Sequence, residues 1–346
     1  MQERLDWIDA VKGTCLLLVM IAHLWQPCPT WVAVLTAGYM QVFFVMAGIT
    51  AVAKSCSFRE QIGQKAKRLL VPYFFYGIVF LLLGVILPTQ ADLGKGALGL
   101  LYGRYSLYPP YVEANIPLLQ ACGYLSPLWF LPCIFISYVL LAWYDRSRFP
   151  YLIVLLAIAA GIVTPLLPIL LPWSIEMSFV GFLLMLFGRL LRSQLLVPPF
   201  KLGKTFVFRG LIWLGCAAVY MTVWKLDAPV NMSLSQMGNI AMYFPLRFVF
   251  FCLLGISETL FLALFFRALY SSFLTKTIAY VGRQALRLMC IHLFIGQGVF
   301  YLLANRGVPL AVTFACALAV IFIANYILDS LFSRKQSASD IPTEQH

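Results

Sequence analysis

Apolar residues occur along this chain in long runs that are separated by short polar connections. A helix needs about 20 predominantly apolar residues to cross the hydrocarbon core of a bilayer, and ten runs approach or reach that length. The pattern predicts an all-α integral membrane protein, a single bundle of about ten transmembrane helices. The predicted spans are residues 13–27, 32–53, 70–88, 126–144, 150–171, 174–191, 207–224, 244–266, 282–303 and 308–331.

The composition excludes a water-soluble protein. Hydrophobic residues make up 62% of the chain and charged residues only 11%, whereas soluble domains carry roughly 25% charged residues. No internal repeat or low-complexity tract interrupts the pattern. We therefore expect one membrane domain over residues 1–333, followed by a short disordered cytoplasmic tail at residues 334–346.

The distribution of basic residues predicts the orientation. With the N-terminus in the cytoplasm, 20 of the 25 lysines and arginines fall on the cytoplasmic side, as the positive-inside rule requires. Both termini are then cytoplasmic. Topology and anionic membrane lipid account for the net charge of +12, so no nucleic-acid partner is needed to explain it.

The nine cysteines predict neither a zinc site nor a disulfide framework. Most lie inside apolar runs, where cysteine behaves as a small hydrophobic residue, and no CxxC or Cys/His cluster is present. We expect no metal cofactor. Cys28 and Cys122 both fall on the predicted outer side, where a disulfide between them could form.

The first apolar run, VKGTCLLLVMIAHLWQP (residues 11–27), contains two ionisable residues. Lys12 and His23 are eleven positions apart, which places them on one helix face about 16 Å apart along the axis. Ionisable groups inside a membrane are costly and indicate function, and histidine is the usual general base near neutral pH. The alternative is a histidine that hydrogen-bonds a neighbouring helix for packing. Asp9, three residues before Lys12, predicts an ion pair.

The segment FREQIGQKAKRLLVPY (residues 58–73) places Lys65 and Arg68 on one side of the start of span three. Ordinary cytoplasmic anchoring explains these charges, but lysine and arginine also suit phosphate binding. Phosphate ligands at the cytoplasmic edge and a deeper base on His23 predict an elongated ligand. A coenzyme A thioester has this form, with phosphates at one end and the acyl group at the other.

Four further residues are candidates for substrate binding, each with a structural alternative. Trp129 could stack on a sugar ring or simply lie at the membrane interface, as tryptophan commonly does. Glu176 opens span six on the outer side and could orient an acceptor hydroxyl. Glu258 lies mid-span and needs a partner. His292, within span nine, could be functional or purely structural.

Five segments in order along the chain carry a family resemblance: RLDWIDAVKGTCLLLVMIAH, QVFFVMAGI, KAKRLLVPY, SPLWFLPCIFISYVL and AYVGRQALRLMCIHLFIG. Together they resemble the acyltransferase-3 family of membrane O-acyltransferases, in the sugar O-acetylase branch similar to fucose 4-O-acetylase. The first segment is the most specific, because a basic residue, ten intervening positions and a histidine are the family's signature. The resemblance implies ten spans, a catalytic His23, and donor-binding roles for Lys12, Lys65 and Arg68.

The chain departs from the family pattern at three positions. Lys12 occupies a place where many members have arginine, and Ala47 and Ala285 each replace a common serine. The lysine puts a bidentate phosphate contact in question, and the two alanines remove hydroxyls. His292 also fits a position of the family. None of the departures removes the proposed base.

These observations lead to the hypothesis of a membrane O-acetyltransferase in the bacterial cytoplasmic (inner) membrane. The donor is acetyl-CoA from the cytoplasm, and the acceptor is a hydroxyl of a sugar in a lipid-linked or cell-surface glycan. His23 acts as general base or as transient acyl acceptor. The main alternative is a transporter of a small solute or of an exported acylated glycan precursor, for which internal repeats are expected. A lipid-linked glycosyltransferase would need a metal-binding carboxylate pair, which the sequence lacks.

Overall fold

A computed structural model describes most of the chain. The described residues are 5–25, 32, 35–51, 56–86, 92–104, 106–108, 126–164, 167, 169–195, 204–226, 244–270, 272–304 and 306–339. The candidate disulfide between Cys28 and Cys122 lies outside them.

Within these ranges the protein is helical and contains no extended sheet. Two short 3-10 helices, Ser126–Trp129 and Pro172–Ser174, lead directly into α-helices. We number the α-helices in chain order as α1 (Asp6–Leu24), α2 (Tyr39–Thr50), α3 (Phe58–Ile86), α4 (Leu93–Tyr102), α5 (Phe130–Tyr144), α6 (Pro150–Val163), α7 (Ile175–Leu195), α8 (Lys204–Leu226), α9 (Phe244–Ala268), α10 (Phe273–Arg283), α11 (Ala285–Ala304) and α12 (Leu310–Ser339).

The helices agree with the predicted multi-pass architecture. Seven helices in the described part of the chain are long and apolar enough to cross a membrane, and three shorter apolar helices accompany them. Each of the ten predicted spans overlaps one of these helices. The chain is therefore an all-helical, multi-pass integral membrane protein, while the count of ten spans and the cytoplasmic position of the termini stay predictions.

Several helices extend beyond their apolar runs into polar sequence. α3 begins at Phe58 and has 29 residues, so Lys65 and Arg68 lie within the helix. Its start is fixed by a capping box in which the Ser57 N–H donates to the Glu60 carboxylate at 2.9 Å and the Glu60 N–H donates to the Ser57 hydroxyl at 3.3 Å. Lysine, arginine and glutamine have about the same helix propensity as leucine. Helical hydrogen bonding can therefore continue past the end of the apolar run.

The last helix also extends beyond its apolar run. α12 continues to Ser339, past the predicted domain end at residue 333, while the disordered tail stays a prediction. Residues 340–346 lie outside the described part of the chain.

The predicted ninth span is preceded by a separate helix. α10 (Phe273–Arg283) is capped by Ser272, whose hydroxyl accepts from the Thr275 N–H at 3.1 Å. Gln284 separates it from α11. α10 packs along α1, which places Arg283 beside the first span.

α1 and α2 form the centre of the bundle. α1 contacts α2, α9, α10 and α11, and α2 contacts α7 and α9 as well. Small residues permit the closest crossings: a Cβ on Gly48 would lie 1.9 Å from the Met185 carbonyl oxygen, and a Cβ on Gly188 would lie 2.1 Å from that of Val45. The backbones of α2 and α7 are therefore in direct contact, and α2 is packed at the centre of the bundle.

Candidate functional site

A cavity of about 330 Å³ opens among six helices, α1, α2, α3, α5, α10 and α11. This volume is at the lower end of the range of ligand pockets, roughly 300–1,000 Å³. The lining residues are Asp9, Lys12, Phe43, Ala47, Thr50, Lys65, Arg68, Leu69, Phe130, Leu131, Ile134, Tyr138, Gly282, Arg283, Ala285, Leu286 and Met289.

Four basic side chains and one carboxylate line this cavity. Lys12, Lys65, Arg68 and Arg283 supply the positive charges, and Asp9 supplies the negative one. Asp9 lies 3.8 Å from Lys12, which confirms the predicted ion pair. The excess of positive charge in a partly enclosed space favours an anionic ligand with more than one negative group.

The cavity is charged at one end and apolar at the other. The Lys65 ammonium lies 3.5 Å from the centre of the Tyr138 ring, a cation–π contact. Along α5 the lining then runs from Tyr138 to Phe130, about 12 Å at 1.5 Å per residue. At the far end Phe130 contacts the ring of Phe43 at 5.8 Å, and Met289 adds a further apolar side chain. An elongated ligand with an anionic head and a narrow apolar part fits this arrangement.

A close crossing of α1 and α10 positions the charged end. A Cβ on Gly282 would lie 1.7 Å from the Asp9 carbonyl oxygen, and one on Gly13 would lie 2.2 Å from that of Ile278. The backbones therefore touch. Arg283, the residue after Gly282, pairs with Asp6 of α1 at 3.1 Å.

His23 and His292 lie together beyond the apolar end. Their ring centroids are 5.3 Å apart with an interplanar angle of 51°. His23 is half-buried near the end of α1, and His292 is fully buried in α11. Neither residue lines the cavity, but Met289 does, and the Met289 carbonyl oxygen lies 2.9 Å from His292 Nδ1. One helical turn thus separates the cavity wall from the histidine pair.

Trp129 is buried within the helix bundle. It ends the 3-10 helix Ser126–Trp129, which packs against α11, and its side chain is buried. Its ring makes an edge contact with Phe130 at 6.1 Å, so it lies directly behind the apolar end of the cavity. The sugar-stacking role stays a prediction.

Glu176 is held in a buried ion pair instead of lining the cavity. Arg104 donates to one carboxylate oxygen of Glu176 and, at 2.9 Å, to the Ser174 hydroxyl. Arg104 and Glu176 are both buried. The sequence did not indicate this pair, because Arg104 comes from a long connection with no periodic pattern. Glu176 is thus engaged in joining that connection to α7.

Glu258 also lies away from the cavity. Its fully buried carboxylate faces the Trp213 indole N–H and the backbone N–H of Gly38, although neither contact has full hydrogen-bond geometry. Gly38 immediately precedes α2. A carboxylate at this position complements the positive end of the α2 dipole, so the geometry supports a role in holding α2.

The sequence predicted donor-binding roles for Lys12, Lys65 and Arg68, and the fold places all three in one cavity. Sequence reasoning missed Arg283 and Tyr138. Arg283 was counted only as a cytoplasmic positive charge, and nothing in the apolar pattern of α5 marks Tyr138.

The two alanines that depart from the family pattern, Ala47 and Ala285, also line this cavity. A serine hydroxyl at either position would face a ligand in the cavity.

Comparison with known proteins gives a family match over nearly the whole chain. The model of the acyltransferase-3 family, described as an acyltransferase domain, matches residues 5–329. No curated protein and no solved structure matches this chain significantly. The matched range contains every helix that lines the cavity and both histidines of the pair. The chain therefore belongs to the acyltransferase-3 family, and it is a multi-pass membrane protein with an acyltransferase domain.

Proposed function

We propose that this protein is a membrane O-acetyltransferase that moves an acetyl group from cytoplasmic acetyl-CoA to a hydroxyl of a sugar. The sugar belongs to a lipid-linked or cell-surface glycan, and the enzyme acts in the bacterial cytoplasmic membrane. The observation that supports this proposal is a single cavity that is basic at one end, apolar at the other, and adjacent to a pair of imidazoles.

The basic end would hold the phosphates of the donor. Coenzyme A carries a diphosphate and a further phosphate on its ribose, and Lys12, Lys65, Arg68 and Arg283 line the cavity together. Charge-assisted hydrogen bonds from arginine and lysine are among the stronger interactions available to phosphate. The cation–π contact of Lys65 with Tyr138 restrains the ammonium group, which reduces the conformational entropy lost on binding.

The apolar end would guide the acyl group toward the histidines. The pantetheine arm is narrow and largely uncharged, so it suits a passage lined by Phe43, Phe130, Leu131 and Met289. Met289 borders His292, and His292 borders His23. A thioester that extends past Met289 arrives beside His23, whereas the phosphates remain at the basic end.

The proposed reaction needs one proton acceptor and one proton donor. His23 removes the proton from the sugar hydroxyl while the hydroxyl oxygen forms a bond to the acetyl carbon. The carbon–sulfur bond breaks, and the proton passes from His23 to the departing thiolate, which gives free coenzyme A and an acetyl ester. No other reactant is required.

The direct test uses the purified protein in detergent with labelled acetyl-CoA and a panel of glycan acceptors. We expect thioester cleavage and label in the glycan for the wild type, and loss of both for His23→Ala at unchanged expression. Gln297→Ala changes an exposed polar residue of α11 and serves as the control. Full activity of His23→Ala would eliminate the assigned base. A wild type that cleaves no thioester with any acceptor would favour the transporter.

The acceptor can be identified in cells. Surface glycans from cells with and without the protein would be compared by mass spectrometry, and the expected difference is one acetyl increment on one sugar. A larger mass difference that matches a longer acyl group would still support acyl transfer, but it would identify a different acyl-CoA as the donor.

A further inference from the structure

The two ring nitrogens of His292 have different surroundings. His292 Nδ1 lies 2.9 Å from the carbonyl oxygen of Met289 and 3.2 Å from that of Leu288. Both neighbours can only accept hydrogen bonds, so Nδ1 carries the hydrogen of the neutral ring. The lone pair of the ring is then on Nε2.

The Nε2 atom of His292 is buried and has no hydrogen-bond partner among the described residues. A buried acceptor without a donor is costly, particularly in a membrane where water does not replace the donor. Packing of α11 is already provided by neighbouring apolar residues such as Leu288 and Ile291, which are buried. The Nε2 atom therefore indicates a hydrogen-bond donor that does not contact it in the present arrangement.

The ring of His23 is in contact with the ring of His292. An N–H···N hydrogen bond of about 3 Å between two imidazoles gives a centroid separation of roughly 5 Å, and the observed separation is 5.3 Å. His23 is half-buried, and at this centroid separation the hydrogen bond requires a change in ring orientation rather than a closer approach of the rings.

We propose that His292 is a positioning residue that accepts a hydrogen bond at Nε2 from a ring N–H of His23. This contact fixes the tautomer of His23 and directs the lone pair of its other nitrogen at the acceptor hydroxyl. The inference rests on the proposed function, which it deepens by assigning the group that orients the base.

A neutral partner suits this position in the membrane. In hydrolytic triads a carboxylate accepts the N–H of the catalytic histidine and holds it in the required tautomer. A carboxylate here would add a charge to an apolar interior, which is unfavourable. An imidazole with its Nδ1–H committed to backbone carbonyl groups provides the same acceptor without that charge.

Two amide substitutions separate the two nitrogens of His292. His292→Asn retains an N–H near Nδ1 and removes the acceptor at Nε2, whereas His292→Gln places an amide oxygen near Nε2. We expect His292→Asn to lower kcat about tenfold or more with an unchanged KM for acetyl-CoA, and His292→Gln to recover a large part of kcat. A packing role of the Nδ1–H alone predicts the reverse order, and that result would overturn the inference. Gln297→Ala, on the same helix, is the control.

Nitrogen NMR of histidine-labelled protein tests the contact without an acceptor substrate. The chain has three histidines, so His23→Ala and His292→Asn assign the two signals of the pair. We expect the Nδ1–H tautomer for His292 and a shift of its Nε2 resonance in His23→Ala. An unchanged resonance would overturn the inference even if acetyl transfer is established. A wild type that fails to cleave acetyl-CoA would overturn the proposed function, whatever the resonance shows.

Discussion

Arg104 and Glu176 form a buried ion pair that joins the connection after α4 to the start of α7. Both side chains are almost fully inaccessible, and Arg104 also donates to the Ser174 hydroxyl. Around this pair the Tyr102 hydroxyl donates to the Leu170 carbonyl oxygen at 2.8 Å, and the Trp173 indole donates to that of Leu101 at 2.9 Å. The pair is thus the centre of a hydrogen-bonded cap on α7.

Breaking this pair should destabilise the protein. Removal of one partner leaves an uncompensated buried charge, which typically costs about 3–5 kcal/mol. We expect Arg104→Ala and Glu176→Ala each to lower the thermal unfolding midpoint in detergent. Lys95→Ala removes an exposed ion pair with Asp92 and should leave the midpoint unchanged. Equal midpoints for Arg104→Ala and the control would contradict a stabilising role.

The basic end of the cavity should determine donor affinity. Replacement of Lys65 and Arg68 together by alanine removes two charge-assisted contacts, so we expect KM for acetyl-CoA to rise by at least about tenfold. The comparison variant is Lys276→Ala, which removes an exposed positive charge of α10 that does not line the cavity. If both variants raise KM equally, the effect is one of general surface charge rather than of the site.

Arg283 should contribute to the same site. It lines the cavity and also pairs with Asp6, so two variants distinguish these roles. Arg283→Ala removes the charge and should weaken coenzyme A binding in calorimetry about tenfold. Asp6→Asn breaks the ion pair, leaves the guanidinium in place, and should retain or strengthen binding. Weak binding by Asp6→Asn as well would show that the ion pair, rather than the charge, is what matters.

The crossing of α1 and α10 should not tolerate a larger residue. A Cβ at Gly282 would overlap the Asp9 carbonyl oxygen, which is backbone and cannot rotate away. We expect Gly282→Ala to separate the helices, lower the unfolding midpoint and weaken coenzyme A binding, because Lys12 and Arg283 would move apart.

Gly63→Ala is the matched control for that substitution. Gly63 lies in α3, and no atom lies near its added Cβ, so alanine should leave the midpoint unchanged or raise it through its higher helix propensity. A Gly282→Ala protein with normal stability and binding would show that the crossing is adaptable.

The apolar runs by themselves determined that this is a helical membrane protein and where its apolar helices lie, because a lipid environment admits few backbone arrangements and requires long apolar segments. Local spacing also determined the Asp9–Lys12 ion pair and placed Lys65 and Arg68 on one helix side. These are properties of single helices, which short-range pattern describes well.

Only the tertiary structure decided which helices meet. Arg283 lines the same cavity as Lys12 because two glycines let α10 approach α1, and the ring of His292 contacts that of His23 because α11 packs against α1. Glu176 turned out to be paired with Arg104, and Glu258 to face the start of α2. Packing among apolar helices depends on small residues and shape complementarity distributed over the whole bundle, and no single segment of the sequence contains that information.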